Sequence, residues 1–402
     1  MNSNNPAAIR GRWVVVGIFL LSSTINYLDR QTLATVAPLV RAELHLNNAD
    51  YGLILAAFSI AYAAAAPFAG LLIDRIGLSR GITLAVSAWS LASIATGFAR
   101  GLPSLLFCRG WLGVAEAGGI PAAGKAIQHY LKPEERALGN GLNQTGVFLG
   151  AVLAPPVATW LAIRYGWPSA FLATGAAGLA WIALWRIVRS GAHRGEAESE
   201  STAAQPVSRS LRLLRQPRAW GLMAANALSM VIYSLWSNWT TLYLVEAHHL
   251  TLPQAAWFAW LPPLAAMIGG LAGGWLSLRW ARDAASPVSA RLRVCLACGV
   301  LALGTAAIPL LPGALWASAG ISLSILAVSA FSVNLYTLPL DLFEPAHAAF
   351  AISLLVSAYG AMQAVLSPAL GATIDHYGYT PVCVAVSLTP LAAYGVLRLA
   401  KI

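Results

Sequence analysis

RIVRSGAHRGEAESESTAAQPVSRSLRLLRQPR, residues 186–218, is the stretch on which the fold turns. It places Arg186, Arg189, Arg194, Arg209, Arg212, Arg215 and Arg218 beside three glutamates, in a chain of 402 residues that is 58% hydrophobic and 10% charged. Outward from it the composition is apolar in both directions. Six apolar runs precede it, at about 13–40, 51–73, 81–99, 104–130, 137–162 and 170–190. Six follow, at about 219–245, 255–278, 291–311, 315–340, 347–374 and 381–400. A membrane-crossing helix needs about 20 mostly apolar residues, and a mean hydropathy of +0.67 is too high for one soluble core. The expectation is an all-α membrane protein of twelve transmembrane helices in two six-helix halves. Residues 1–190 form the first half, 191–217 a basic cytoplasmic linker and 218–402 the second half, the organisation of a transporter whose related halves rock around a midplane site.

The formal charge of +10 would point a soluble protein toward nucleic acid; here it sets topology, and no nucleic-acid partner is expected. With both termini cytoplasmic, nineteen of the 25 Lys and Arg lie inside, three lie outside (Arg41, Arg100, Arg164) and three lie within spans. The positive-inside rule therefore fixes the orientation. Cys108, Cys295, Cys298 and Cys383 all fall in apolar stretches, which argues against an exported disulfide framework. The first apolar run is long and leads into a second, so no cleavable signal is expected. No nucleophile, metal cluster or nucleotide loop has usable spacing, so neither catalytic residues nor a metal or other cofactor is expected.

Charge inside the spans is confined to the first half, as Asp29, Arg30, Arg109, Glu116 and Lys125. Lys125 sits close enough to a helix end to snorkel. Each of the other four would cost about 2.5–3.5 kcal/mol at a helix centre unless paired or hydrated. At 1.5 Å per residue, Arg109 lies about 9 Å and Glu116 about 20 Å from the outer end of span four; Arg30, about 26 Å from Trp13, reaches a height similar to Arg109. Asp29 is thus expected to pair with Arg109 across spans one and four. Arg109 and Glu116 are seven residues apart on nearly one face, with Gly113 leaving a gap between them. Two acids balance two bases; protonating the acids leaves two guanidinium groups for an organic anion to neutralise, so anion and proton each change the other's affinity. The alternative is two permanent ion pairs that only fix helix packing.

Tyr27, Tyr62 and Gln144 are polar groups at or near this level, and Gln144 with Asn143 precedes Gly146 and Gly150. The second half has no charged side chain in its spans; Asn226, Tyr233, Trp236, Asn238, Trp239, Asn334, Tyr336, Tyr359 and Gln363 are its polar and aromatic contribution to a shared cavity, with Asn334, Tyr336, Tyr359 and Gln363 chosen as substrate contacts. Gly269, Gly270, Gly273 and Gly274, with Pro262-Pro263, favour close packing and bending in span eight. Between spans two and three, Gly70, Asp74, Arg75, Gly77 and Arg80 stand in the order G-x-x-x-D-R-x-G-x-x-R. Gly70 allows close helix approach, and Asp74 at a helix end can hold a cation or cap a partner helix, which together make a cytoplasmic conformational latch.

That loop matches the signature of the major facilitator superfamily, and the first half resembles its anion:cation symporter branch, which includes bacterial hexuronate and galactonate importers and animal vesicular glutamate and sialic-acid carriers. The resemblance rests on Ile25-Asn26-Tyr27-Leu28-Asp29-Arg30, Tyr62, Arg109, Gly113, Glu116-Ala117 and Pro121, and continues through Pro133, Glu135-Arg136-Ala137, Asn143, Gly146, Gly150 and Pro155-Pro156. It implies that Asp29 and Glu116 are proton-coupling carboxylates, Arg30 the substrate-carboxylate arginine and Arg109 the partner of the acids, with Tyr27, Tyr62 and Gln144 lining the substrate. The chain departs from the sugar-acid importers at Gly360-Ala361, where they usually carry Asn after Gly. The expected activity is proton-coupled import of a small organic monoanion (hexuronate, aldonate or other monocarboxylate) by a monomer in a bacterial inner membrane. A non-transporting ligand sensor, or an antiporter exporting metabolites, are the other readings the residues leave open.

Overall fold

The computed structural model describes residues 6–131, 136–192, 211–282, 286–343 and 345–402. Residues 193–210, the greater part of the basic linker, lie outside these, as do Pro133 and Glu135. Every regular element among the described residues is helical, as the bilayer demands of a chain that must satisfy its own backbone groups. The order is α1 (Pro6–Leu44), α2 (Asn48–Ile76), α3 (Leu78–Thr96), α4 (Leu102–Glu116), α5 (Gly119–Tyr130), α6 (Arg136–Tyr165) and α7 (Pro168–Ala192). A short 3₁₀ turn, Leu211–Arg215, leads into α8 (Pro217–Ser229), α9 (Val231–His248), α10 (Leu252–Ala259), α11 (Leu261–Ala281) and α12 (Pro287–Ala302). A second 3₁₀ segment (Leu303–Leu310) precedes α13 (Gly313–Leu342), α14 (Pro345–Tyr377), α15 (Tyr379–Ser387) and α16 (Thr389–Leu399).

Among the described residues, ten stretches are long and apolar enough to cross a membrane. They do not include α1 or the α4–α5 pair, the two places that carry the buried charges. Several spans are built from two consecutive helices. The joint between α10 and α11 falls at Trp260, just before Pro262 in the first turn of α11, and that between α15 and α16 at Leu388, just before Pro390. A proline ring cannot donate to the preceding turn and excludes its carbonyl, so the hydrogen-bond ladder breaks there. The expected bend of span eight is this α10–α11 joint. Large apolar side chains such as Phe68 (71% exposed) and Val365 (78%) are exposed, which in water would be a liability and in lipid is tolerated.

The chain divides into two compact units, one of Met1–Val40 with Ala57–Ala203, the other of Arg41–Ala56 with Ala204–Ile402. In the first unit, α7 is fixed to α1 by Trp181, whose indole N–H donates to the Ile18 carbonyl at 2.7 Å. Trp181 stacks on Trp185 while Phe19 meets both edge-on. This cluster continues through Ile73, Val86, Trp89 and Leu112 as one buried core.

The second unit has its core on Leu222, Cys295, Phe331, Leu335, Leu355 and Leu397. Gly273 admits α13 so closely that an added methyl would lie 2.6 Å from the Ala330 Cα. The unit also takes in the α1–α2 corner. Asp375 on α14 accepts hydrogen bonds from the backbone N–H groups of Asn48 (3.1 Å) and Ala49 (2.9 Å), so a carboxylate from a distant helix caps the start of α2. Arg41 pairs with Glu246, which also accepts from the Tyr379 hydroxyl at 2.8 Å, and the Tyr51 hydroxyl donates to the Asn238 carbonyl at 2.9 Å.

Candidate functional site

The first unit brings four helices together in two pairs, each at a glycine. A methyl on Gly113 would strike the Phe58 carbonyl and sit 3.0 Å from the Tyr62 nitrogen, so α4 lies directly on α2. A methyl on Gly150 would strike the Thr24 carbonyl and sit 2.9 Å from the Leu28 nitrogen, which puts α6 on α1. The side chains flanking these contacts converge on Arg30.

Arg30 donates through Nε (2.9 Å) and Nη2 (2.6 Å) to the single oxygen Oε2 of Glu116. The Glu116 side chain is fully buried and that of Arg30 is 22% exposed. The guanidinium carbon lies 4.8 Å from the ring centre of Tyr27, 4.9 Å from Phe58 and 5.1 Å from Tyr62. Phe58 and Tyr62, one helical turn apart, stack on each other at 5.7 Å. The result is a cation in an aromatic enclosure, an arrangement that strengthens as water is excluded. Glu116 is the last residue of α4. The carbonyl end of a helix disfavours an anion, so the ion pair with Arg30 compensates for position as well as burial.

Asp29, 2% exposed, lies one residue from Arg30 in a different environment. Its Oδ1 accepts from Ser93 Oγ on α3 and from Thr174 Oγ1 on α7, each at 2.5 Å. Its Oδ2 and the Oε1 of Glu116 are buried and accept no hydrogen bond among the described residues. Both arginines are near enough for their charges to act on Asp29. Arg109, 3% exposed, has its guanidinium 5.7 Å from the centre of the Phe171 ring. Arg30 and Glu116 thus form a hydrogen-bonded ion pair that the sequence reading did not name, while the expected neighbours Asp29 and Arg109 act on each other by charge.

Helix direction explains this. Side chains lean toward the N-terminus of their own helix, and α1 and α4 run in opposite senses because each successive span reverses. Arg30 and Glu116 therefore lean toward each other, and the long guanidinium closes the height difference that rise per residue alone implies.

The other expected site residues fall as follows. Tyr27 and Tyr62 join Arg30. Gln144 is exposed, while its neighbour Asn143 accepts from Ser23 at 2.7 Å and ties α6 to α1. In the second unit, the Asn334 amide donates to the Gly273 (3.1 Å) and Ala330 (2.9 Å) carbonyls and is 1% exposed, a packing role within its unit. Tyr336 accepts from Asn226 at 3.4 Å, and Tyr359 and Gln363 lie half-buried one turn apart on α14. At the proposed latch, Gly77 takes φ of 86°, which favours glycine, and turns α2 into α3. Arg75 and Arg80 are exposed; the side chain of Asp74 and the surroundings of Gly70 lie outside the described residues. Lys125 donates to the Ile73 carbonyl at 3.3 Å near the end of α2, so its ammonium also serves a backbone acceptor. Sequence reasoning misses Phe58, Ser93, Thr174 and Phe171. The only available signal was Phe58 standing four residues before Tyr62, one turn away on the same helical face.

A galacturonate transporter of Dickeya chrysanthemi is 30% identical over 285 residues, covering 66% of this chain and 81% of that protein. A hexuronate transporter of Escherichia coli is 28% identical over 397 residues, covering 94% of this chain and 91% of that protein. Among solved structures, an inward-facing, unoccupied bacterial homologue of the human lysosomal transporter Spinster superposes with a TM-score of 0.74 at 20% identity, over 97% of this chain and 95% of that one. The sequence profile of the Major Facilitator Superfamily matches residues 19–355, so with this helical architecture the chain belongs to that superfamily and is a membrane transporter, not an enzyme.

Proposed function

We propose that this transporter is a proton-coupled symporter importing a hexuronate-type monoanion, working as a monomer in a bacterial inner membrane. Its twelve spans, the ten apolar stretches with α1 and the α4–α5 pair, form two six-helix halves with cytoplasmic termini that alternate access to the site. The observation that carries the reading is Arg30, partly exposed, ringed by aromatic faces and held by a sealed carboxylate on one edge. A substrate carboxylate and Glu116 compete for that guanidinium. A proton on Glu116 withdraws its charge, and the same Nε–Nη2 edge then receives the substrate, for which a planar fork is the fitting partner. One proton and one monoanion leave the site's net charge unchanged, so neither is favoured without the other. Tyr27, Tyr62 and Phe58 offer faces to a sugar ring's C–H surface and hydroxyls to its oxygens. The galacturonate and hexuronate transporters to which the chain is similar support the sugar-acid class.

The test is uptake of labelled D-galacturonate into proteoliposomes under an inward proton gradient, beside counterflow at equal pH, with galactonate and lactate as competitors. Wild type accumulates galacturonate and galacturonate competes best; Glu116→Gln keeps counterflow and loses gradient-driven accumulation. Accumulation by Glu116→Gln equal to wild type overturns the coupling role, and binding without counterflow of any of the three acids favours a sensor.

A further inference from the structure

Asp29 is sealed from solvent, and what surrounds it is a pair of hydroxyls with a choice of acceptors. Ser93 Oγ lies 2.5 Å from Asp29 Oδ1 and 3.0 Å from the Phe171 carbonyl. Thr174 Oγ1 lies 2.5 Å from the same Oδ1 and 3.1 Å from the same carbonyl, and the two hydroxyl oxygens are 3.0 Å apart. Each hydroxyl has one proton to donate and two lone pairs to accept with, so both cannot serve both acceptors at once. The close seating of α7 on α3 holds this group together: a methyl on Gly175 would lie 2.6 Å from the Ser90 carbonyl.

From this count we infer that Ser93 and Thr174 are positioning residues of the Asp29 proton site, a hydroxyl pair that turns as one when the carboxyl changes charge. With Asp29 ionised, both hydroxyls donate to Oδ1. An arriving proton has an acceptor in reach only on the Oδ1 side, since Oδ2 has no hydrogen-bond partner among the described residues. The new O–H of Asp29 then donates to one hydroxyl, and the hydroxyl protons rotate to the Phe171 carbonyl. No Ser or Thr O–H bond breaks; the one covalent bond formed is Oδ1–H, and it is the one lost on release. Arg109 from α4 and Arg30 from α1 act on Asp29 by charge, and Asp29 in turn acts on Glu116, so the pair's movement is felt at the substrate arginine. Stabilising both charge states in one place, without moving backbone, lowers the reorganisation that buried proton transfer otherwise requires.

This deepens the symport reading, on which it rests, and its test separates the two. The variants are Ser93→Ala with Thr174→Val, which remove the hydroxyls, and Ser93→Thr with Thr174→Ser, which keep them. Infrared difference spectra of the purified protein between acid and alkaline pH, with Asp29→Asn to assign the band, report the protonated Asp29 carbonyl stretch without any substrate. The expected result is a displaced band in Ser93→Ala/Thr174→Val and a native one in Ser93→Thr/Thr174→Ser. In proteoliposomes, gradient-driven galacturonate accumulation falls at least about tenfold in the hydroxyl-free variant, as loss of hydrogen bonds to a charged group implies, while equal-pH counterflow survives and the hydroxyl-keeping variant is restored. An unmoved band, or full accumulation without hydroxyls, overturns the inference. Failure of wild type to transport galacturonate defeats the symport reading alone, and the infrared band still decides the hydroxyl pair.

Discussion

Arg30 uses two nitrogens on one carboxylate oxygen, and this geometry separates it from a simple point charge. Arg30→Lys keeps the charge but loses the fork and most of the flat contact with Tyr27, Phe58 and Tyr62. Its galacturonate uptake is expected to fall at least about tenfold, a value in keeping with charge-assisted hydrogen bonds, and initial-rate assays check it. Phe58→Leu preserves volume approximately and removes one aromatic face, worth about 0.5–2 kcal/mol; the apparent KM should rise several-fold with the maximal rate nearly unchanged. A variant with unaltered KM places Phe58 in the packing alone. The four central charges were legible in the sequence because charge in an apolar run has no cheap explanation. Phe58, Ser93 and Thr174 were not, since phenylalanine, serine and threonine are ordinary in membrane helices and only the neighbours reveal their use. The partner of Arg30 was also out of reach, because rise per residue fixes a Cα height but leaves open the lean of a long side chain.

Along α4, two glycines three residues apart have opposite surroundings. An added methyl at Gly113 would meet the α2 backbone at Phe58 and Tyr62, while at Gly110 it would meet nothing within 4 Å. Gly113→Ala should therefore destabilise by about 1–3 kcal/mol, the usual range for overpacking, and weaken uptake by displacing Glu116 from Arg30. Gly110→Ala should be neutral or slightly stabilising through helix propensity. Thermal unfolding in detergent distinguishes them, and equal melting points for the two would contradict the close α2–α4 approach. The apolar runs foretold where helices stand, since about 20 apolar residues leave few other solutions. They did not foretell every joint. Pro262 gave a visible cause for the α10–α11 break, whereas α8 and α9 meet at Met230 with no proline or glycine at the joint.

For the molecule as a whole, the feature with the widest reach is the corner Arg41–Ala56, which precedes most of the first unit in sequence yet packs as part of the second. Asp375→Ala removes the acceptor for the first amides of α2 and should lower local stability by about 1 kcal/mol, as loss of a helix cap does. Hydrogen–deuterium exchange should accelerate at Asn48 and Ala49 and stay unchanged in α12; an unchanged rate at the α2 amides would show that the cap contributes nothing. Sequence order, which suggested a clean division at the basic stretch, is blind to such a loan because contact and chain position are separate properties. A gene severed within codons 193–210 would therefore give two polypeptides of unequal independence. The downstream piece, synthesised by itself, would lack the amides that cap onto Asp375 and the guanidinium that meets Glu246, leaving Asp375 without those donors and Glu246 with the Tyr379 hydroxyl but no counter-charge from Arg41, and only simultaneous production of its upstream companion would complete it.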